Sequence, residues 1–346
     1  MPLCVESAVL PPDSTYSLYV TAKRYWSDTR PKPHSTPKCT GLTLVLFHAT
    51  SFHKEMWEPC LEALFALVDK SKGVLIEEAW SIESPNHGES AVLNVETLRQ
   101  SPFSEQFGVL GYATAAHRFI YSRAEFSHSQ RRRLVAIGHS AGGNVSVLVQ
   151  ALAPLIQFRS VIVIEPMAFP GGDQFLEELR GRLLHTVRKR RDRWSSREEA
   201  RMSLPWHGRF PERRCWHPRI VDLYLALIPA RGSDGDRYFT LACTKAQEAN
   251  MYLDEKGSPI VLEVLDQVSS RIPLHLVLGE VKNFISAEIH ATLASPSPNG
   301  RKWASVTTVP GVGHLIPQEQ PDSLANVLFQ LMNQMSATTA LYQHKL

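Results

Sequence analysis

The sequence lacks the features that mark several large protein classes. No apolar run is long enough to cross a bilayer, so we expect no stable membrane anchor. The opening residues MPLCVESAVLPPDS have no basic start followed by an apolar run, so we expect no cleaved secretion signal. The five cysteines are scattered, without C-x-x-C or histidine-rich metal spacing. This pattern fits a reducing compartment, and we predict no metal site and no cofactor.

The chain also has little excess of positive over negative charge, because its net charge is only +3. So small an excess does not indicate a nucleic-acid partner. Basic residues do cluster at 131–133 and 188–193, where we expect solvated helix faces. With 346 residues, 43% of them hydrophobic, the chain can form one large domain with an insertion, or two domains.

After a polar, proline-containing opening, strand-like apolar runs alternate with helical patterns. The runs cover 42–48, 74–82, 134–140, 160–166, 274–280 and 304–309. Strands that alternate with helices predict the α/β class, with a mostly parallel sheet flanked by helices. Open sheets of this kind place their sites at the carboxyl ends of the strands.

The alternation stops between about 171 and 258, where the chain becomes charged, helical and rich in tryptophan and arginine. We predict a core of residues 1–172 and 259–346, with a helical lid inserted at 173–258. The lid's apolar positions could line a substrate pocket or form an ordinary packed face, and both readings stay open. These positions include Leu176, Leu179, Leu183, Leu184 and Val187.

The motif LVAIGHSAGGN predicts a nucleophile elbow at Ser140. A strand that turns sharply into a helix exposes a serine hydroxyl only if no side chain crowds the turn, which requires glycine at 138 and 142. The apolar run 134–137 reads as a strand buried on both faces, and apolar residues recur at helical spacing after the motif. Ser140 is therefore the predicted nucleophile.

A serine hydroxyl needs a histidine to accept its proton and an acid to orient that histidine. His314, in VPGVGHLIPQEQP, follows the last strand and precedes an amphipathic helix at 324–332, so a loop can carry its imidazole over the sheet. His139 adjoins the serine but faces the wrong way for a base. His314 is the predicted base.

Two carboxylates are candidates for the acid. Glu280 follows the next-to-last strand, the usual place in this architecture, although a polar residue at that point can also simply start a loop. Glu165 ends the strand after the nucleophile strand, where a carboxylate is costly unless it is exposed or paired. We favour Glu165 and keep Glu280 as the alternative.

Acyl transfer also needs donors aimed at the developing oxyanion. One is the backbone N–H of Ala141, the residue after the nucleophile. We assign the second to Thr50, in the loop after the strand 42–48. The segment ESPNHGES follows the next strand, and its His87 and Gly88 are expected to shape the fold.

The segments HATSFHKEMW, SPNHGES, IGHSAGG, VIVIEP and GVGHLIP, in this order, resemble the α/β-hydrolase superfamily across nearly the whole chain. Several of them, with SREEA in the lid, are similar to fungal peroxisomal α/β-hydrolases. That group includes a peroxisomal lipase, toxin-cluster esterases and the acyl-CoA hydrolase of mycophenolic acid biosynthesis. In it the acid follows the strand after the nucleophile, and by resemblance this position is Glu165.

We therefore expect a serine hydrolase that acts on a small-molecule ester or thioester. The resemblance implies an acyl-CoA or polyketide-type thioester in fungal secondary metabolism or toxin biosynthesis, with Arg188 or Arg190 meeting the CoA phosphates. The final residues His344, Lys345 and Leu346 are a variant of the Ser-Lys-Leu peroxisomal address. They predict recognition by a peroxisomal import receptor and therefore a peroxisomal location. If the receptor does not recognise them, we expect a cytoplasmic location.

Three alternatives remain. The protein could be a general esterase or lipase, an acyltransferase, or a catalytically silent α/β-hydrolase-fold binding protein. Epoxide opening would favour aspartate in place of Ser140, which argues against it. Intact Ser140 and His314 argue against a silent site.

Overall fold

A sheet of eight strands forms the centre of the computed structural model, which describes residues 3–29, 41–71, 73–126, 133–203, 216–225, 228–231 and 236–343. The strand order is β1-β2-β4-β3-β5-β6-β9-β10. All pairs from β4 to β10 are parallel, and β2 is antiparallel to both of its neighbours. The strands are β1 Leu3–Leu10, β2 Val20–Ser27, β3 Leu42–Phe47, β4 Ile76–Ile82, β5 Leu134–His139, β6 Ser160–Ile164, β9 Leu274–Gly279 and β10 Ser305–Val309.

The six predicted strand runs all form strands, and the predicted α/β class with a mostly parallel sheet is confirmed. Each strand ends within two residues of the predicted end. The central ones, β3, β5 and β6, are buried along their whole length, as strands covered on both faces must be. The carboxyl ends of these strands therefore meet at one edge of the sheet.

The polar opening segment contains none of the predicted strand runs, yet β1 and β2 form there. The apolar pattern of a buried strand is interrupted in β2, because the polar residues Thr21, Arg24 and Ser27 are buried there. Arg24 Nε lies 2.6 Å from Glu78 Oε2 on β4, and this ion pair compensates the burial of both charges. Strand β1 alternates between the two faces only loosely, as is common for an edge strand.

Helices cover both faces of the sheet, and each face has its own apolar core. Helices α1 and α12 pack on one face, and α3, α4 and α9 on the other. The helices are α1 Glu58–Lys70, α2 Gly88–Leu93, α3 Val109–Ser122, α4 Ala141–Leu148, α5 Asp173–Lys189, α6 Arg197–Ser203, α7 Pro218–Tyr224, α8 Lys245–Tyr252, α9 Gly257–Ser269, α10 Ala287–Ala294, α11 Ile316–Glu319 and α12 Pro321–Gln343. In the described part of the chain, three short 3-10 helices lie at Lys54–Trp57, Thr97–Arg99 and Ala124–Phe126.

Between β6 and β9 the chain forms α5 to α8 and a small antiparallel pair, β7 Ile228–Arg231 with β8 Arg237–Thr240. This stretch contains the predicted lid. Its lower boundary, at 172/173, coincides with the start of α5, but the boundary at 258/259 falls inside α9, which packs on α4 in the core. The division into core and lid stays a prediction.

Some predicted features lie outside the described residues. They are the C-terminal residues 344–346, Arg131 and Arg132 of the first basic cluster, and Cys39 and Cys215. Of the helices that are described, none combines the length and apolar character needed to cross a membrane.

Candidate active site

The turn from β5 into α4 has the sharp geometry that the motif predicts. Ser140 has φ +55° and ψ −120°, a conformation that non-glycine residues rarely adopt. A Cβ on Gly138 would lie 2.0 Å from the carbonyl oxygen of Gly142, and one on Gly142 would lie 2.1 Å from that of Phe47. Both glycines are therefore needed, because any side chain would collide with backbone.

The structure brings His314 to Ser140 across the carboxyl edge of the sheet. His314 Nε2 lies 3.1 Å from Ser140 Oγ, and both residues are buried. The loop after β10 carries the imidazole, and the ring of Phe284 stacks on it with centroids 4.1 Å apart. The imidazole is thus held where it can accept the hydroxyl proton of Ser140.

Glu165 lies on the other side of the same imidazole. Its Oε2 is 3.1 Å from His314 Nδ1, and its Oε1 accepts a hydrogen bond of 2.7 Å from the Gly279 amide. The residue follows β6 with φ +46°, another unusual backbone conformation. Burial would raise the pKa of Glu165, but the imidazoles of His290 and His314 outweigh it and hold the pKa well below its usual range. Glu165 is therefore a carboxylate near neutral pH.

Glu280, the alternative acid, lies elsewhere. Its side chain is exposed at the end of β9, and its Oε2 accepts a hydrogen bond of 2.6 Å from the Gly311 amide. No hydrogen bond or ion pair joins it to His314, although both residues are described. Of the two candidate acids, the structure brings Glu165, and not Glu280, to the histidine.

The two predicted oxyanion donors, Ala141 and Thr50, line one cavity, and Ala141 is the residue that follows Ser140 in the chain. Ala141 opens α4, and the first amides of a helix lack partners within the helix. Within the described residues, the Thr50 amide donates no hydrogen bond. Both amides are therefore open to an acceptor at the cavity.

Ser51 fixes the Thr50 loop. It has φ +74°, and its amide donates a hydrogen bond of 3.0 Å to His87 Nε2. Its hydroxyl contacts the Glu248 carboxylate and lies 3.0 Å from the Tyr252 hydroxyl, both on α8. His87 thus shapes this loop, as expected, and the predicted lid also contacts it.

Some apolar positions of α5 line a cavity, and some pack in a small apolar core. Leu176, Leu179 and Leu183 line the same cavity as Thr50 and Ala141, which has a volume of about 50 Å³. Leu179 also belongs to a small core with Phe169, Ile285 and Ile289, while Val187 is buried. Helix α5 therefore packs on the core and closes the cavity at once.

His139 contacts the backbone of the candidate base. Its Nε2 lies 2.8 Å from the carbonyl oxygen of His314. Burial, helped by the nearby His314, lowers the pKa of His139 to about 3, so the ring is neutral near pH 7 and donates its Nε2–H to that carbonyl. It supports the His314 loop, and its described contacts include none with the Ser140 hydroxyl.

His290, on α10, contacts the candidate acid and is not among the residues predicted from the sequence. Its Nε2 lies 3.3 Å from Glu165 Oε2, and the residue is buried. A single histidine within a helix carries no motif, so its sequence gives no signal. Only the packing of α10 against the end of β6 reveals the contact.

One cluster has the residue types of a metal site. One ligand atom from each of His53, Glu55 and Glu83 lies within 4.8 Å of the others. However, Lys54 Nζ lies 2.7 Å from Glu83, 3.0 Å from Glu89 and 3.1 Å from Glu55. Burial would lower the pKa of Lys54, but these carboxylates raise it above its usual range. The ammonium group of Lys54 therefore already compensates the charge of these carboxylates.

The two lid arginines proposed for CoA phosphates differ in their surroundings. The guanidinium of Arg190 pairs with the buried carboxylate of Glu248. Arg188 is exposed, and its described contact is a hydrogen bond that its carbonyl accepts from Lys245. Arg190 is therefore used to neutralise Glu248, and Arg188 is the one open to a ligand.

Comparison with known proteins identifies the family. A family model described as "Alpha/beta hydrolase family" matches residues 44–327. Curated relatives include the "Type I acyl-CoA thioesterase mpaH" of Penicillium brevicompactum, 25% identical over 191 residues, which are 55% of this chain and 41% of the relative. That of Penicillium roqueforti is 24% identical over 215 residues, 61% of this chain and 45% of the relative. The chain thus matches less than half the length of these relatives.

Solved structures share the fold. The peroxisomal alpha-beta-hydrolase Lpx1 from Saccharomyces cerevisiae superposes with a TM-score of 0.70 at 20% identity, covering 97% of this chain and 90% of that one. The thioesterase domain from the curacin biosynthetic pathway gives 0.61 at 13% identity, covering 94% and 99%. The fold is therefore the α/β-hydrolase fold, and with the match over 44–327 the chain belongs to the alpha/beta hydrolase family.

Proposed function

We propose that this protein is a serine hydrolase that cleaves a carboxylic ester or thioester with Ser140 as nucleophile, His314 as base and Glu165 as acid. The proposal depends on one chain of contacts, 3.1 Å from Ser140 Oγ to His314 Nε2 and 3.1 Å from His314 Nδ1 to Glu165 Oε2. This is the arrangement that activates a serine for acyl transfer.

The proposed reaction has two stages. Ser140 Oγ attacks the carbonyl carbon while His314 Nε2 takes the hydroxyl proton, and the amides of Ala141 and Thr50 stabilise the oxyanion. As the C–O or C–S bond breaks, His314 returns the proton to the leaving alcohol or thiol. Water then attacks the acyl-serine ester with His314 again as base, which releases the acid and restores the Ser140 hydroxyl.

We further propose that the substrate is an acyl-CoA or polyketide-type thioester of fungal secondary metabolism or toxin biosynthesis. The curated relatives named acyl-CoA thioesterase support this, as does the structural likeness to a thioesterase domain. The exposed Arg188 would meet a CoA phosphate, since guanidinium and phosphate pair well. A general esterase, or acyl transfer to an alcohol instead of water, is the competing activity.

The first test is a substrate panel. The values of kcat/KM for acyl-CoA thioesters should exceed those of simple esters with the same acyl groups by about tenfold, or roughly 1.4 kcal/mol. Arg188→Ala should raise the KM for acyl-CoA about two- to fivefold, as expected for an exposed ion pair, and leave the KM for the esters unchanged. Faster cleavage of the esters would indicate an ordinary esterase, and failure of a fluorophosphonate to label the protein would indicate a silent site.

The cavity that Ala141, the neighbour of Ser140 in the chain, helps to line predicts a preference for short acyl groups. Its 50 Å³ has room for about two water molecules, so a long chain does not fit without movement of α5. Leu179→Ala should widen it and raise kcat/KM for an octanoyl ester relative to an acetyl ester by about tenfold or more. Leu184→Ala, on the same helix but outside the cavity lining, is the control. An equal shift in both variants would contradict this position for the acyl group.

We also propose a peroxisomal location through an import receptor that reads residues 344–346. The structural likeness to a peroxisomal hydrolase supports this location. A fluorescent fusion placed at the N-terminus should reach peroxisomes with these residues and stay in the cytosol without them. Delivery of the truncated fusion to peroxisomes would exclude this address.

A further inference from the structure

We propose that His290 is a positioning residue that holds the Glu165 carboxylate against His314. This inference rests on the proposed function, since it concerns the acid of the proposed triad. His290 acts through Glu165 and contacts neither Ser140 nor His314 among its described contacts.

The first support is the way the Glu165 carboxylate is surrounded. Oε1 accepts the Gly279 amide at 2.7 Å, while Oε2 lies 3.1 Å from His314 Nδ1 and 3.3 Å from His290 Nε2. The same oxygen is therefore located between two imidazoles, on two different elements. Without His290, the described contacts of Oε2 would be reduced to His314 Nδ1, and the Gly279 amide would hold Oε1 as before.

The second support is burial. Glu165 is 1% exposed and His290 4% exposed, so bulk solvent hardly reaches the carboxylate. A buried carboxylate is costly unless polar groups compensate it. His314 supplies one N–H and Gly279 another, and His290 adds a third positive dipole. This compensation keeps Glu165 ionised, as an acid that orients a histidine must be.

The contact between His290 and Glu165 does not have the geometry of an aligned hydrogen bond. It therefore acts through the attraction between the dipole of the imidazole and the charge of the carboxylate. Among the described residues, Nδ1 of His290 has no hydrogen-bond partner. No described acceptor therefore favours a proton on Nδ1 over one on Nε2, the nitrogen that faces Glu165. A residue that served only to fill space would need no nitrogen at this position.

The test compares two replacements of His290. His290→Leu fills the space without a donor, whereas His290→Gln retains an N–H group that can reach the carboxylate. With a short acyl ester and rates normalised to active sites titrated with a fluorophosphonate, we expect His290→Leu to lower kcat about tenfold. The KM should stay within about twofold, and His290→Gln should retain kcat within about threefold of the unaltered protein.

A double variant shows whether His290 acts through Glu165. If it does, Glu165→Gln/His290→Leu should be no slower than Glu165→Gln alone, because the group on which His290 acts has already been lost. If the kcat losses of Glu165→Gln and His290→Leu multiplied in the double variant, the proposal would be overturned. Full activity of His290→Leu, or equal losses in His290→Leu and His290→Gln, would also overturn it. If Glu165→Gln left activity unchanged, the assignment of Glu165 as the acid would be wrong. If Glu165→Gln lowered activity but His290→Leu did not, only this inference about His290 would be refuted.

Discussion

Replacing Ser140 with alanine is expected to lower kcat for ester and thioester hydrolysis by about 10⁶-fold, the loss seen when a serine hydrolase loses its nucleophile. The hydroxyl 3.1 Å from His314 Nε2 would be gone, and among the described residues no other hydroxyl is hydrogen-bonded to that imidazole. Fluorophosphonate labelling should disappear as well, because the reagent is attacked by the same oxygen. Steady-state hydrolysis and labelling of the purified variant measure both effects.

Ser146→Ala is the matched control for this change. Ser146 is also buried, lies on the same helix α4, and donates a hydrogen bond of 2.7 Å to the Gly143 carbonyl. It should keep full labelling and nearly full activity at a small cost in the free energy of unfolding, about 1 kcal/mol. Labelling that persisted in Ser140→Ala would mean that the nucleophile lies elsewhere and that the proposed mechanism is wrong.

Glu165→Gln is expected to lower kcat by about 10⁴-fold, as removal of the triad acid's charge does elsewhere. The amide is nearly the size of the carboxylate, but it lacks the charge that stabilises the His314 imidazolium, and it can hold the ring in the wrong tautomer. Because the Gly279 amide already donates to the Oε1 position, the substituted side chain would keep its oxygen there and direct its NH₂ group toward His314 Nδ1. Single-turnover kinetics with a chromogenic ester separate this loss from substrate binding.

Glu280→Gln is the comparison that decides between the two candidate acids. The Glu280 side chain is exposed and bonds only to the Gly311 amide among its described contacts, and a glutamine oxygen can still accept that bond. We expect activity within about twofold of the unaltered protein. A collapse of activity in Glu280→Gln with a mild effect in Glu165→Gln would reverse the assignment and require the His314 loop to be rearranged.

Much of the fold was predictable because its signals are local. Apolar runs that end at a small or polar residue mark the buried parallel strands, and the six predicted ones all form. The glycines around Ser140 are required by a backbone approach of about 2 Å, a constraint that the motif itself encodes. The order of serine, acid and histidine along the chain then limits where their partners can lie.

The remaining features depend on packing between distant segments. His290 reaches Glu165 only because α10 packs beside the end of β6. Arg190 could not be separated from Arg188 in the sequence, since its pairing with Glu248 joins residues 58 positions apart. Strand β2 was missed because the buried charge of Arg24 is compensated by Glu78 on a neighbouring strand. In each of these contacts a buried charge is compensated by a residue far away in the chain. A sequence pattern does not show that partner, because it covers only neighbouring positions.

The backbone of the candidate site has a consequence for evolution and engineering. In the part of the chain that the structure describes, the non-glycine residues with positive φ are Ser51, Ser140 and Glu165. Each such conformation costs about 1–3 kcal/mol, and a typical domain has a net stability of only about 5–15 kcal/mol. Selection for heat resistance alone would therefore favour glycine at these three positions. It would yield a more durable protein that has lost its proposed chemistry, so thermostability and turnover oppose each other at the site.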